Sequence, residues 1–287
     1  MNRNRPGTPW KPKPVPRCDP DRALGSLLGL AVCEALAGSS QTVFPDAPLP
    51  CGLFGDGTSM ALALAESLTE MAAVDQRDQM IRYASWFRYG HLSATETCAF
   101  IDESVRQAIV RFEKTWDPED HGSEGDVCLA RMAPVAIFFY GSPEKALEAC
   151  AQTTRTTHAG PHSLEACALL TAMIFMSLGG HGKADILRHA RHDPGLAQVP
   201  PPALDEPDTR FSLAAMSALR MAVESFCAAD SFAKGALSCR QYGRRAMAAY
   251  GQLAGAWYGA AAIPRPWRES LVKADLLQRM LQGLLEN

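Results

Sequence analysis

The chain has 287 residues, 47% of them hydrophobic, which is enough for one large core or two modest ones. A formal charge of −3 argues against a nucleic-acid-binding domain, and no apolar run reads as long enough to cross a bilayer. The nine cysteines are odd in number, scattered, and include no Cys-x-x-Cys pair. Most fall in apolar helical patterns (Cys33, Cys98, Cys150, Cys167, Cys227), so reduced, buried thiols in a cytoplasmic protein are expected rather than disulfides or a zinc site.

Residues 1–19 are rich in proline and base, with Trp10 in their middle. They lack the apolar stretch of a secretory signal and are expected to form a disordered arm; the alternative is a polyproline-like arm that docks on an acidic partner. From Asp21 the pattern turns helical. Asp19 or Asp21 can cap a first helix, in which Leu24, Leu27, Leu28, Ala31 and Ala35 recur at helical spacing. Residues 40–57, with Pro45, Pro48, Pro50, Gly52, Gly55 and Gly57, read as a loop. A helix over Thr58–Glu70 follows, carrying Met60, Leu62, Leu64 and Leu68. Further helices are predicted at 76–89, 95–114, 126–139, 143–152, 161–179, 183–190, 211–228, 243–259 and 267–285. Five prolines between Pro194 and Pro207 mark residues 193–210 as a long loop. No stretch alternates as a strand and no repeat appears. The expectation is an all-α, single-domain bundle over residues 20–287.

Three segments carry a resemblance. Arg22-Ala-Leu-Gly-Ser-Leu-Leu-Gly-Leu-Ala-Val-Cys-Glu-Ala-Leu-Ala-Gly38, followed by Gln41, is similar to a helix that usually reads Gly-Asp-Ala-Leu-Gly with a glutamate four residues on. Gly55-Asp56-Gly57-Thr58-Ser59-Met60 resembles Thr-Asp-Asp-Thr-x-Met. Gly251-Gln-Leu-Ala-Gly-Ala-Trp-Tyr-Gly259, with Ile263-Pro264 and Trp267 beyond it, resembles a last core helix entered through an Asp-x-Asp-Thr turn. Weaker matches lie at Arg88–Ser93, Ala130–Pro134 and Thr157-His158. In order and spacing these segments resemble the ADP-ribosylglycohydrolase family, of the dinitrogenase-reductase-activating type.

That resemblance implies two magnesium ions on oxygen ligands from the glutamate and the two turns. The metals position ADP-ribose and help activate the water that cleaves the bond at the ribose anomeric carbon. Here the glutamate position is Gln41, the first turn keeps only Asp56, and the second reads Tyr242, Gly243, Arg244 and Arg245. Two unit charges ~4 Å apart at an effective dielectric of ~20 interact by ~4 kcal/mol, so an arginine beside a divalent ion is repulsive. The metal centre is predicted lost and no cofactor is expected. Arg244 is expected to face the cleft and pair with Asp56, a guanidinium in place of a metal, with at least one of the two arginines turned to solvent. Asp56 is also a candidate cap for the helix beginning near Thr58.

Glu34 takes the place of the family's early aspartate. A charge on an apolar helix is expected to face the cleft or meet an arginine, and it is the leftover candidate for a general base. His158 and His162 are four apart, but Pro161 lies between them. His162 is read as a solvated residue of a first helical turn, while His158 lines the ADP-ribose site by resemblance. Asp126-Val127-Cys128 replaces Asn-Gly-x, putting a Cβ and a charge where a backbone would approach a diphosphate. Cys128 is placed near the cleft.

The leading reading is a non-catalytic member, a pseudoenzyme that works by binding an ADP-ribose-like ligand, an ADP-ribosylated protein or a protein partner. Its candidate ligand-binding residues are Gln41, Asp126, Cys128, His158, Tyr242, Arg244 and Arg245. One alternative is a metal-independent ADP-ribosyl hydrolase with Glu34 or Asp56 as base and an arginine on the diphosphate. Another is an inhibitor or immunity-type protein that reaches an ADP-ribosyltransferase with the N-terminal arm. Neither nucleic acid nor membrane is an expected partner.

Overall fold

The computed structural model describes residues 18–192 and 214–286. In chain order its helices are α1 (Pro20–Ala37), α2 (Asp56–Met71), α3 (Gln76–Tyr89), α4 (Glu103–Thr115), α5 (Ala133–Phe138), α6 (Pro143–Arg155), α7 (Pro161–Leu178), α8 (Lys183–His192), α9 (Ala214–Ala228), α10 (Phe232–Cys239), α11 (Arg244–Tyr258), α12 (Arg265–Glu269) and α13 (Ala274–Glu286). Three 3-10 turns, Val127–Arg131, Arg240–Tyr242 and Ala260–Ala262, punctuate the series, and no strand occurs among the described residues. The fold is all-α, as the periodicity predicts.

The centre of the molecule is a seam between α1 and α11, made by glycines four apart on each helix. A Cβ on Gly25 would lie 2.3 Å from the Gly255 carbonyl oxygen, and one on Gly29 would lie 2.1 Å from that of Gly251. The reverse holds for Gly251 and Gly255, whose Cβ atoms would meet the carbonyls of Gly29 and Gly25 at 2.2 and 1.9 Å. Only bare backbone fits on both sides, so the axes approach more closely than side chains would permit. Ser26 Oγ donates to the Gln252 carbonyl at 2.9 Å across the seam. At one end Arg22 Nη1 donates to the carbonyls of Ser177, Ala256 and Trp257, satisfying the last turns of α7 and α11 together. The seam is flanked by a large apolar core that includes Leu27, Leu36, Leu62, Leu170, Phe226, Phe232 and Trp267. A second apolar cluster, with Met80, Tyr83, Trp86, Ile109 and Phe112, packs α3 and α4 under the start of the 3-10 turn at Val127.

Several boundaries differ from the sequence reading, each for a local reason. The helix expected from residue 95 starts at Glu103, because Asp102 caps it, its Oδ1 accepting from Ser104 N at 3.0 Å. The segment before it turns twice through left-handed backbone, at Leu92 (φ 60°) and Glu96 (φ 59°). The helix expected over 126–139 divides into the Val127–Arg131 turn and α5, with Pro134 in the first turn of the latter. The one expected over 267–285 breaks at Lys273, φ 57°, into α12 and α13. Helix α10 was hidden by its shortness and by Gly235, where a Cβ would lie 2.1 Å from the Tyr250 hydroxyl.

Contrary to the hydropathy reading, α7 is long and apolar enough to cross a bilayer by length and composition, but half of it is buried against its neighbours within the bundle. Cys18 is buried and Asp19 caps α1, so the folded unit takes in the last two residues of the expected arm. The rest of the arm and the proline-rich loop at 193–210 lie outside the described residues.

Candidate functional site

The starts of α2, α4 and α11 and the 3-10 turn at Val127 converge beside the second half of α1, and Glu34 is the anchor there. It is 2% exposed. Its Oε2 accepts from the backbone N–H groups of Gly55 (3.1 Å) and Thr58 (2.7 Å) and from Thr58 Oγ1 (2.7 Å), while Oε1 accepts from Gly57 N at 3.1 Å. The N-cap residue Gly55 has no side chain to give, so Glu34 caps α2 from another helix. This corrects the expectation that Asp56 caps it: the helix begins at Asp56 itself. Burial, and next the charge of Asp56, raise the Glu34 pKa, against the hydrogen bonds from Thr58. With four donors on its two oxygens, Glu34 is a structural acceptor, not a free base.

Asp56 is held by Arg245. The guanidinium meets it in a fork, Nη1 to Oδ1 at 3.2 Å and Nη2 to Oδ2 at 2.9 Å, with the Asp56 side chain 1% and the Arg245 side chain 12% exposed. Asp102 lies 3.6 Å from Nη2, and Asp126 lies 3.7 Å from Nε. Burial works against the Arg245 charge, but Asp56, Glu34 and Asp126 outweigh it and push its pKa up. Burial raises the Asp126 pKa, opposed by Arg245.

The arginine expected in this role was Arg244. Arg244 does line the cavity and pair with Asp56, but from the rim and more loosely: its side chain is 34% exposed, its Nη1 lies 3.7 Å from Asp56 Oδ1 and its guanidinium 5.0 Å from the centre of the Phe100 ring. Gly243 enters α11 at φ 89°, a conformation that favours glycine, and it is the second helical residue, not the first, that turns into the interior.

These residues do not fit magnesium, which takes an octahedral shell of oxygens. The space between Asp56, Asp102 and Asp126 is bridged by a guanidinium, and no group of three or more His, Cys, Asp or Glu side chains among the described residues is arranged to hold a metal. Nor does Gly57 leave room for a further carboxylate. A Cβ on Gly57 would lie 2.4 Å from that of Ala130 and 2.6 Å from Glu34 Oε1.

Behind Asp102 runs a buried hydrogen-bond chain that the sequence did not suggest. Arg131 Nη2 donates to Thr157 Oγ1, which meets His158 Nδ1 at 2.7 Å. His158 Nε2 meets Ser104 Oγ at 2.9 Å, and Ser104 Oγ donates to Asp102 Oδ1 at 2.6 Å. Arg131 can only donate, and Ser104 Oγ gives its one proton to Asp102, so the chain assigns the Nε2–H tautomer to His158. Burial, and then the charge of Arg131, push the His158 pKa down to about 3, so it is neutral. His158 and Arg131 are both fully buried, so His158 supports the site from behind and does not line it. The Asp102-x-Ser104 cap at the start of α4 was the available sequence signal.

The remaining candidates are not brought to the centre. Cys128 is fully buried, its Sγ donating to the Gly125 carbonyl at 3.3 Å. Gln41 and Tyr242 are exposed, on a turn after α1 and on the 3-10 turn before Gly243. His162 is in the first turn of α7, with Nδ1 4.0 Å from Glu165. A cavity of about 190 Å³ opens beside the Arg244 rim, walled by Phe54, Asp56, Trp86, Ser93, Phe100 and Arg244 among others.

A family description, ADP-ribosylglycohydrolase, matches residues 16–287. The chain belongs to the ADP-ribosylglycohydrolase family. Similar members include the ADP-ribosylarginine hydrolase Tri1 of Serratia proteamaculans (strain 568), 26% identical over 92% of this chain and 79% of the relative. The ADP-ribosyl-[dinitrogen reductase] glycohydrolase of Rhodospirillum rubrum is 27% identical over 92% of this chain and 96% of that protein. Among solved structures, a chain of an "ADP-ribosylglycohydrolase-related protein complex" superposes with a TM-score of 0.74 at 29% identity, covering 93% of this chain and 98% of that one. Within the family's fold, this member carries an arginine–carboxylate cluster where the resemblance places the metal ligands.

Proposed function

We propose that this chain is a non-catalytic member of its family that works by binding an ADP-ribose-like ligand, free or attached to protein, without magnesium. The observation that carries the reading is Arg245, whose guanidinium bridges the carboxylates at the centre of the site. The ligand class follows from the family and from its relatives, which are named as hydrolases of ADP-ribosylated arginine and of ADP-ribosylated dinitrogen reductase. Of the two carboxylates left as candidate bases, Glu34 is spent on the start of α2 and Asp56 on Arg245, so neither is free to activate water.

The test is calorimetric titration of the protein with ADP-ribose, in magnesium and again in EDTA, beside an assay for ADP-ribose release from an ADP-ribosylated arginine substrate. The expected result is the same affinity in both buffers and no release. Release that requires magnesium overturns the reading. Release in EDTA replaces it with a metal-independent hydrolase, and absence of ADP-ribose binding in both buffers removes the ligand.

A further inference from the structure

We infer that Arg244 and Ser93 form a subsite for a single oxyanion group, phosphate or carboxylate, on a compact ligand. The inference rests on reading the cleft as a binding site, but it assigns the contact to a residue pair of this chain.

Two residues on the cavity wall, Arg244 and Ser93, carry donors that make no hydrogen bond among the described residues. Asp56 already accepts a two-pronged contact from Arg245. Arg244 therefore forms only a longer ion pair with Asp56, at 3.7 Å, and makes no hydrogen bond among the described residues. A guanidinium carries five N–H donors in a planar fork that matches an oxyanion. Phe100 lies under its face at 5.0 Å, which holds the plane while leaving the edge open.

On the same cavity wall, Ser93 is 4% exposed and its Oγ has no hydrogen-bond partner. A buried hydroxyl without a partner is costly, and a ligand oxygen supplies one. The other wall hydroxyls are occupied: Ser59 donates to the Gly55 carbonyl at 3.1 Å, and Thr95 to that of Thr97 at 3.2 Å.

Charge and size narrow the ligand. Arg244 is the first residue of the 15-residue helix α11, whose N-cap Gly243 contributes no side-chain bond, so the positive end of the helix adds to the guanidinium. The carboxylates on the wall, Glu34 and Asp56, are already compensated by a helix start and by Arg245. Arg244 shares its charge with Asp56 only through a 3.7 Å ion pair, and one partly engaged cation suits a single anionic group. The cavity, at about 190 Å³, is smaller than the ~300–1,000 Å³ usual for whole ligands, so the oxyanion and a few attached atoms enter and any larger remainder stays outside.

The experiment titrates the full chain, at constant ionic strength, with inorganic phosphate and with acetate in separate arms, followed by backbone amide shifts. Arg244→Ala, Arg244→Lys and Ser93→Ala are run beside wild type, with Arg265→Ala as a surface control. Saturable binding of one oxyanion is expected, weakened at least tenfold in Arg244→Ala, severalfold in Ser93→Ala, and to an intermediate degree in Arg244→Lys, which keeps the charge but loses the fork. The arm that binds more tightly identifies the group. No saturable binding by wild type, or equal binding by wild type and Arg244→Ala, overturns the subsite. Ser93→Ala removes only an unpartnered hydroxyl, so it guards against a folding defect in the arginine variants.

An ADP-ribose arm separates this inference from the proposed function. Oxyanion binding without ADP-ribose binding removes that function and leaves the subsite. ADP-ribose binding, together with oxyanion binding that is absent or equal in wild type and Arg244→Ala, does the reverse.

Discussion

The seam between α1 and α11 and the cluster at their flank are built on opposite rules. The seam tolerates nothing larger than glycine and has no charge to balance. The cluster holds four carboxylates, Glu34, Asp56, Asp102 and Asp126, against two guanidiniums. At a steric contact, volume decides which residues are allowed. At a charged one, any cation that reaches the carboxylates satisfies the same electrostatics, and here a side chain does so. A fold can therefore keep its packing while the charged residues beside it vary.

The largest effect is expected at the seam. Gly29→Val drives a side chain into the Gly251 carbonyl, and urea denaturation is expected to show a loss above ~3 kcal/mol or no soluble protein. A stable Gly29→Val variant would mean that the two helices can separate. In the cluster the two arginines are expected to differ. Arg245→Ala leaves Asp56 buried without its fork and is expected to cost about 3–5 kcal/mol, whereas Arg244→Ala costs less than ~1 kcal/mol. Equal costs would return Arg244 to the central role.

Glu34→Ala strips the start of α2 of its acceptor and is expected to cost about 3 kcal/mol, read as loss of amide-exchange protection at Gly57 and Thr58. The effect of His158 is spread over a range of pH, so it is small at any one pH near neutrality. Its pKa falls from 6.5 unfolded to about 3 folded, so the unfolded chain binds the extra proton between those values. Stability is then fully present above pH 6.5 and declines as pH falls towards 3, by up to ~1.4 kcal/mol per pH unit. Glu34 and Asp126, with raised pKa values, act in the opposite sense, since acid relieves their burial. A His158→Asn variant should therefore show a shallower acid slope than wild type in chemical denaturation.

Much of the fold was legible because helical period and glycine spacing are local. Leu24, Leu27, Leu28 and Ala31 announce α1, and Gly251 and Gly255 announce the face that meets it. The site was legible only in part. An arginine opposite Asp56 follows from the two turns, but which arginine depends on the angle at which Gly243 feeds α11, a backbone property that no residue pattern encodes. Glu34 as a cap was hidden because its acceptors are used 21 to 24 residues away in sequence. Asp102 and Ser104 were missed because a helix was read through the left-handed turns that precede them.

The seam also sets a timetable for the nascent chain. Ser26 meets the Gln252 carbonyl 226 residues later, so α1 leaves the ribosome long before its partner exists. At about 5–20 residues per second that interval is roughly 11–45 s, during which an apolar helix with a bare glycine stripe has no surface to cover it. Chains stalled before Gly251 should therefore be captured by chaperones through α1, and chains released just beyond Gly255 should not.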